Sequence, residues 1–127
     1  MNNRPGSVVL VDYADLNGNI CKGIFLVLYD EAIDNLTQLG NNVIALKITT
    51  SINQISSYYV ALDLEKDTFF DRQCYVVCNR PNTLNKSQIR AYMGTIQKRE
   101  LLKVYRLFQK YNANVEQQIL DSLLSIK

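Results

Sequence analysis

The stretch VIALKIT, residues 43–49, alternates between two faces in the way that a β-strand requires. Its large apolar side chains share one face: Ile44, Leu46 and Ile48. The opposite face begins with small apolar residues and ends with Lys47 and Thr49. We therefore expect a strand with one apolar face and a second face whose end is polar.

Further strands are predicted on both sides of this stretch, because short β-branched and aromatic runs recur there. They are SVVLVDY (7–13), GIFLVLY (23–29), residues 58–62 and residues 73–78. An Asn-Gly pair at residues 17–18 predicts a loop between the first two strands. A second loop is expected around Pro81 and Asn82.

The last third of the chain changes to helical periodicity. An apolar stripe predicts a helix that begins near Gln97, with Leu101, Val104, Tyr105 and Phe108 on its buried face. Asn112-Ala113-Asn114 predicts a break and a cap for a second helix. The buried face of that helix is expected to hold Val115, Ile119, Leu120, Leu123 and Leu124. The pattern predicts a mainly β protein with α content, a small barrel-like antiparallel sheet with C-terminal helices packed on it.

The composition fits a single domain over residues 1–127 and excludes several chemistries. The chain has 127 residues, 47% hydrophobic side chains and no histidine. Without histidine there is no Ser-His-Asp or Cys-His pair and no His-ligated zinc. A P-loop is rejected because Ile24-Phe25 stands where Lys-Ser is needed, and a calcium loop because Thr68 replaces its glycine. We therefore expect no metal and no cofactor.

Cysteine use and hydropathy predict a cytoplasmic protein without a membrane segment. The three cysteines, Cys21, Cys74 and Cys78, are expected to be small buried thiols, since an odd count argues against a disulfide framework. The longest apolar run, residues 23–29, is far shorter than the ~20 residues that span a bilayer. Residues 1–6 lack the apolar core of a signal peptide.

The net charge of +2 hides an asymmetry between the two halves. Residues 1–64 carry three basic and six acidic side chains, whereas residues 65–127 carry eleven and six. Between residues 80 and 110, eight basic side chains face only Glu100. Such a stretch favours phosphate or an acidic partner, although Lys98 to Lys110 alone is more typical of a solvated helix face.

Six segments, taken in order, resemble one known family. They are RPGSVVLVDY (4–13), GNICKGIFLVL (18–28), KITTS (47–51), DRQCYVVCN (71–79), TLNK (83–86) and GTI (94–96). Over about residues 4–110 this order is similar to that of the MazF/PemK toxins of type II toxin-antitoxin systems. The resemblance implies an SH3-like barrel, a homodimer, and a metal-independent endoribonuclease that cuts single-stranded RNA (an mRNA interferase). It also implies an acidic antitoxin protein as partner.

The resemblance also implies site residues. Thr49 matches the family's catalytic Thr/Ser, and Lys47 beside it would contact phosphate. The family's catalytic Arg-Pro aligns with Gly23-Ile24, so Lys22, one position earlier, is the expected catalytic cation. The remaining predicted RNA contacts are Thr50, Ser51, Arg72, Asn79 and Arg80. A hydroxyl and a fixed cation suit cleavage by the RNA 2′-hydroxyl, where a proton moves and a pentavalent phosphate gathers charge.

Two alternatives stay open from the sequence. The chain could be a catalytically degenerate relative that only binds RNA or an antitoxin, since the family's arginine has no match at Gly23. It could also be a gyrase-directed toxin of the CcdB type, which shares the fold.

Overall fold

The computed structural model describes residues 5–30, 41–50, 57–62 and 73–124, with the backbone alone at 114–120 and 122. The strands are β1 (Ser7–Ala14), β2 (Ile20–Asp30), β3 (Asn42–Thr49), β4 (Tyr59–Ala61), β5 (Tyr75–Val77), β6 (Asn82–Asn85) and β7 (Ile89–Thr95). A 3₁₀ turn at Lys86–Gln88 separates β6 from β7, and helix α1 (Lys98–Leu124) follows.

The strands form an antiparallel sheet in the order β4-β5-β3-β2-β1-β7. Strand β3 divides its outer edge between two partners. Its first half pairs with β6, as far as Ala45 opposite Asn82, and its second half pairs with β5, from Ile48 opposite Val76. The connection between β5 and β6, residues 78–81, therefore bulges away from β3 at the level of Lys47.

Both faces of the sheet are buried, because neighbouring residues of a strand point to opposite sides. Val8 and Leu26 belong to a helix-side core that includes Val104 of α1, whereas Val9 and Val27 belong to a strand-side core. Each fully buried Val or Leu stabilises the fold by about 1.5–3 kcal/mol. Cys74 and Cys78 lie in the helix-side core, as the sequence predicts, but Cys21 is only half-buried.

The structure confirms a mainly β fold with a C-terminal helix. Strands β1, β2 and β3 contain the predicted residues 7–13, 23–29 and 43–49, while β4 and β5 are shorter than predicted. Strands β6 and β7 were not predicted from the sequence. Every residue of β7 is exposed or half-buried, so this strand at the edge of the described sheet lacks a clear apolar alternation.

The prediction of two helices is wrong, because α1 continues from Lys98 to Leu124. Asn112 does not break it: its Nδ2 donates to the carbonyl oxygen of Phe108, one turn earlier, at 2.8 Å. Leu123 and Leu124, predicted to be buried, are 59% and 75% exposed. The side chains of Val115, Ile119 and Leu120 lie outside the described residues.

Two corrections concern the first half of the helix. Val104 is fully buried and Leu101 and Phe108 pack against the helix-side core, as predicted, but Tyr105 is 46% exposed and Leu107 packs there too. Tyr111 joins the helix to the segment before β4, because its hydroxyl lies 2.6 Å from Ser57 Oγ and its ring meets that of Tyr58 edge-on.

Among the residues that the structure describes, there is no helix with the length and apolar character of a membrane span.

Candidate functional site

A cavity of about 530 Å³ opens where the connection between β5 and β6 bulges away from β3. The β1–β2 turn forms its other wall. Its lining combines aromatic, cationic and polar side chains: Tyr13, Ala14, Asp15, Leu16, Phe25, Lys47, Val77, Arg80 and Asn82. Positive charge beside aromatic rings is the combination that binds the phosphates and bases of single-stranded nucleic acid.

Strand register explains why these side chains meet. Phe25 lies directly opposite Lys47 in the β2–β3 pair, and cross-strand partners share a face of the sheet. Tyr13 projects from the same side and its ring meets Phe25 edge-on, with 5.7 Å between the ring centroids. The cavity is thus an extension of the strand-side core toward the polar end of β3.

Lys47 is held at the cavity by Tyr13. Its Nζ donates to the Tyr13 hydroxyl at 3.1 Å and lies 5.2 Å from the centroid of the ring. The ammonium is therefore nearer to the phenol oxygen than to the ring centre. Lys47 and Arg80 are both exposed, so their charges are available to an anion that enters the cavity.

Gly23 makes room for the Tyr13 ring. A Cβ atom at residue 23 would lie 2.7 Å from Cε1 of Tyr13 and 3.2 Å from Cε2 of Phe25. The distance to Tyr13 is shorter than real Cβ contacts allow. Gly23 lies opposite Val11, two residue pairs from the Tyr13–Cys21 pair and therefore on the same face of the sheet. Any side chain at residue 23 would have to displace the tyrosine.

Asp15 provides a fixed negative charge at the rim of the cavity. Its Oδ1 accepts hydrogen bonds from the backbone N–H groups of Asn19 and Asn17, both at 2.9 Å. The Asn19 bond is the main cause that lowers the pKa of Asp15, so its carboxylate stays ionised. Burial and the neighbouring Asp15 raise the pKa of the Cys21 thiol, whose Sγ lies 3.5 Å from Asp15 Oδ2.

Thr49 lies on the same face of β3 as Lys47, about 7 Å further along the strand. It is half-buried and pairs with Tyr75 of β5. Tyr59 of β4 pairs with Val77 and shares this face. Burial raises the pKa of Tyr59, while the positive charge of Arg80 acts in the opposite direction.

The structure does not bring Lys22 to this cavity. Lys22 lies opposite Asp12 in the β1–β2 pair and shares a face with Ile24, which packs on the helix-side core. Lys47 and Phe25 occupy the other face. Lys22 and Thr49 lie at about the same level along their strands. Their side chains nevertheless lie on opposite faces of the sheet, because successive residues of a strand point to opposite sides.

The other predicted contacts are spread around the site. Arg80 lines the cavity, and Thr50 is exposed just after β3. Asn79 is half-buried, and its Oδ1 has no hydrogen-bond partner among the described residues. Ser51 and Arg72 lie outside the described residues. Among those that are described, no cluster of three or more Cys, Asp or Glu side chains could hold a metal ion.

Sequence reasoning missed the aromatic wall and the rim of the cavity. Tyr13 and Phe25 stand in the two predicted strands, but only their register against β3 shows that they meet Lys47. Asp15 and Asn82 stand in the two predicted loops, where the sequence gives no sign of a role. The signal that could have found them is the pairing of the first two strands around the residue 17–18 turn.

A second, shallower groove of about 620 Å³ lies on α1, lined by Lys98, Arg99, Leu102, Lys103 and Arg106. These basic side chains are all exposed, in keeping with a solvated helix face. Because one helix supplies the whole lining, the groove lacks the convergence of elements seen at the cavity.

Comparison with known protein families gives a match. Residues 4–111 match the family described as PemK-like, MazF-like toxin of type II toxin-antitoxin system. Comparison with curated proteins gives no match.

Solved structures share the fold at low sequence identity. An endoribonuclease in complex with its cognate antitoxin, from a mycobacterial species, is 20% identical, with a TM-score of 0.65 over 87% of this chain and 95% of that one. A MazE-MazF structure from Deinococcus radiodurans is 15% identical, with a TM-score of 0.69 over 89% and 98%. The Mycobacterium tuberculosis toxin MazF-mt6 is 15% identical, with a TM-score of 0.60 over 83% and 96%.

Proposed function

This chain belongs to the PemK-like, MazF-like toxins of type II toxin-antitoxin systems, and on that premise we propose that it is a metal-independent endoribonuclease acting on single-stranded RNA. The observation that carries the proposal is the cavity where Lys47 and Arg80 face Tyr13 and Phe25. It offers two exposed cations for phosphates and the half-buried ring of Tyr13 for a base, with the buried ring of Phe25 packed behind it.

The proposed reaction uses the RNA 2′-hydroxyl as nucleophile. The 2′-oxygen forms a bond to the adjacent phosphorus as the bond to the 5′-oxygen breaks, leaving a 2′,3′-cyclic phosphate and a 5′-hydroxyl. The 2′-hydroxyl loses a proton and the departing oxygen gains one. Negative charge builds on the pentavalent phosphate between these events, and this charge is what the protein must stabilise.

Lys47 takes the role of the catalytic cation in this proposal. It lies on the same face as Thr49, whereas Lys22 lies on the other face of the sheet. Arg80, from the β5–β6 connection, adds a second positive charge and can hold phosphate through two parallel N–H groups. The fixed carboxylate of Asp15 repels phosphate from the opposite rim and so directs it toward the cations.

Thr49 is the proposed hydroxyl that contacts the reacting phosphate. Hydroxyl donors in such positions contribute about 10²–10³ in rate when they face the developing charge. Purified protein should cut unstructured RNA in EDTA, Thr49→Ala should lose about that factor, and Thr49→Ser should keep most of the activity. Cleavage by Thr49→Ala at the wild-type rate would remove Thr49 from the mechanism.

A binding-only function has one observation in its favour. The position aligned with the family's arginine is Gly23, and the Tyr13 ring covers it. Tight binding of single-stranded RNA by the wild type, without cleavage, would favour this alternative. The family match favours either function over the gyrase-directed alternative.

We also propose an acidic antitoxin and a second copy of the chain as protein partners. Solved relatives of this fold include a complex with a cognate antitoxin and a MazE-MazF structure. The cavity and the groove on α1 both present basic side chains, which complement an acidic chain. The molecular mass of the pure protein in solution tests for the second copy. Inhibition of its RNA cleavage by the acidic product of an adjacent reading frame tests for the antitoxin.

A further inference from the structure

We propose that Tyr13 is the positioning residue of this site, and that it acts by holding the Lys47 ammonium against the cavity through its hydroxyl. The proposal rests on the proposed function, because it assigns Lys47 to the phosphate of a bound single-stranded nucleic acid. It gives the Tyr13 hydroxyl a role that is separate from the proposed contact of the cavity lining with bases.

The first support is the geometry at Lys47. A lysine side chain is long and flexible, and ordering it on an exposed surface opposes binding through lost conformational entropy. Here its Nζ donates to the Tyr13 hydroxyl at 3.1 Å. The Lys47 ammonium has three N–H donors, and the Tyr13 hydroxyl accepts only one of them, so the other two can donate to a phosphate. Preorganisation of this kind raises affinity without a new contact to the ligand.

The second support is that Tyr13 is itself fixed from two sides. Its ring meets the buried ring of Phe25 edge-on, and Gly23 offers no Cβ where the ring lies. A Cβ at residue 23 would come within 2.7 Å of Cε1 of Tyr13. The hydroxyl is therefore held by a ring that packs on the strand-side core, and rigid support from a second layer is what a positioning residue needs.

The third support is the local distribution of charge. Asp15 lines the same cavity and stays ionised, so its carboxylate attracts a Lys47 ammonium that is not held in place. No ion pair of Lys47 is present among the described residues. The hydroxyl of Tyr13 holds the ammonium without neutralising it, which keeps its charge available to an anion.

The test is a double-mutant cycle on binding of a 2′-deoxy oligonucleotide, which cannot be cleaved. Its affinity is measured by fluorescence anisotropy for wild type, Tyr13→Phe, Lys47→Ala and the double variant. Tyr13→Phe removes only the hydroxyl, so the ring still packs on Gly23 and Phe25. Tyr92→Phe, on the 57% exposed Tyr92 of β7 outside the cavity lining, is the matched control.

We expect Tyr13→Phe to weaken binding by about five- to tenfold, as loss of one hydrogen bond predicts. The double variant should bind no more weakly than Lys47→Ala alone, because the hydroxyl acts through the ammonium. Tyr92→Phe should bind like wild type. The proposal would be overturned if the double variant lost affinity by the product of the two single fold-changes, since the two residues would then act independently. It would also be overturned if Lys47→Ala bound as tightly as wild type.

Gly23→Ala provides a second, independent arm. Its new Cβ should displace the Tyr13 ring and weaken binding in the wild-type background, and most of this effect should vanish in a Tyr13→Ala background. An equal effect in both backgrounds would contradict the proposal. Because binding is measured without cleavage, a chain that binds with the expected coupling but leaves RNA intact refutes the nuclease function alone.

Discussion

The two cations of the cavity should carry a measurable share of the salt dependence of RNA binding. Lys47 and Arg80 line the cavity, whereas Lys22 is also exposed but lies on the other face of the sheet. Replacing each with alanine removes one positive charge from the protein. The three variants therefore match in net charge and differ in where the lost charge lay.

The magnitude follows from counterion release. Each phosphate contact on a single strand contributes about −0.7 to the slope of log affinity against log salt concentration. Lys47→Ala and Arg80→Ala should each make the slope shallower by about 0.7, and the double variant by about 1.4. Lys22→Ala should leave the slope unchanged. The measurement is fluorescence anisotropy of a labelled 2′-deoxy oligonucleotide at salt concentrations from about 50 to about 200 mM.

An equal change of slope for Lys22→Ala and Lys47→Ala would refute the reasoning. It would mean that binding depends on the overall charge of the protein, and that the cavity is not the place where phosphate binds. Thermal melting of each variant checks that the fold is intact, since exposed substitutions change stability by about 0.5 kcal/mol or less.

Three further predictions concern stability and reactivity. Val104→Ala, at a fully buried position, should lower the free energy of unfolding by about 2–3 kcal/mol in a urea titration, whereas Leu102→Ala, 42% exposed, should lower it by about 0.5 kcal/mol or less. Iodoacetamide at pH 8 should label half-buried Cys21 before Cys78, whose pKa burial raises to about 12. Asp15→Ala should lower the melting temperature at neutral pH; since folding lowers the pKa of Asp15, this difference should shrink as pH falls below its ordinary 3.8.

The central strands were predictable because their side chains alternate against two apolar layers. Residues 43–49 show the alternation directly, 7–13 are a β-branched run that predicts a strand, and 23–29 are apolar enough to predict a largely buried strand. Strand β7 lacks such a pattern, since Arg90, Ala91 and Tyr92 are all exposed. Its place beside β1 depends on tertiary pairing, with two register shifts that local sequence does not encode.

The helix was misjudged for a different reason. Asn112-Ala113-Asn114 favours a cap, because asparagine side chains compete for backbone groups. In the structure, Asn112 bonds back to Phe108 within the helix, and Tyr111 contacts Tyr58 outside it. Tertiary contacts next to the predicted break thus support a continuous helix that propensity alone does not favour.

Two of the nine residues that line the cavity, Lys47 and Arg80, could be predicted from the sequence. The alternation of β3 puts Lys47 and Thr49 on one face, and the basic stretch after residue 79 includes Arg80. The resemblance implies Lys22 as the catalytic cation, but Lys22 lies on the face of the sheet opposite Lys47, because an offset of one residue along a strand reverses the face. The role of Tyr13 could not be predicted from the sequence, because it depends on the packing of the Tyr13 ring against Gly23.

Cleavage of an unstructured RNA by the pure wild-type chain in EDTA tests the central claim most directly. The matched substrate replaces every ribose with 2′-deoxyribose, which removes the proposed nucleophile and keeps the phosphates. The account predicts that the RNA is cut to products with 2′,3′-cyclic phosphate and 5′-hydroxyl ends, and that the deoxy substrate binds but stays intact. Cleavage of both substrates, or of neither, would contradict it.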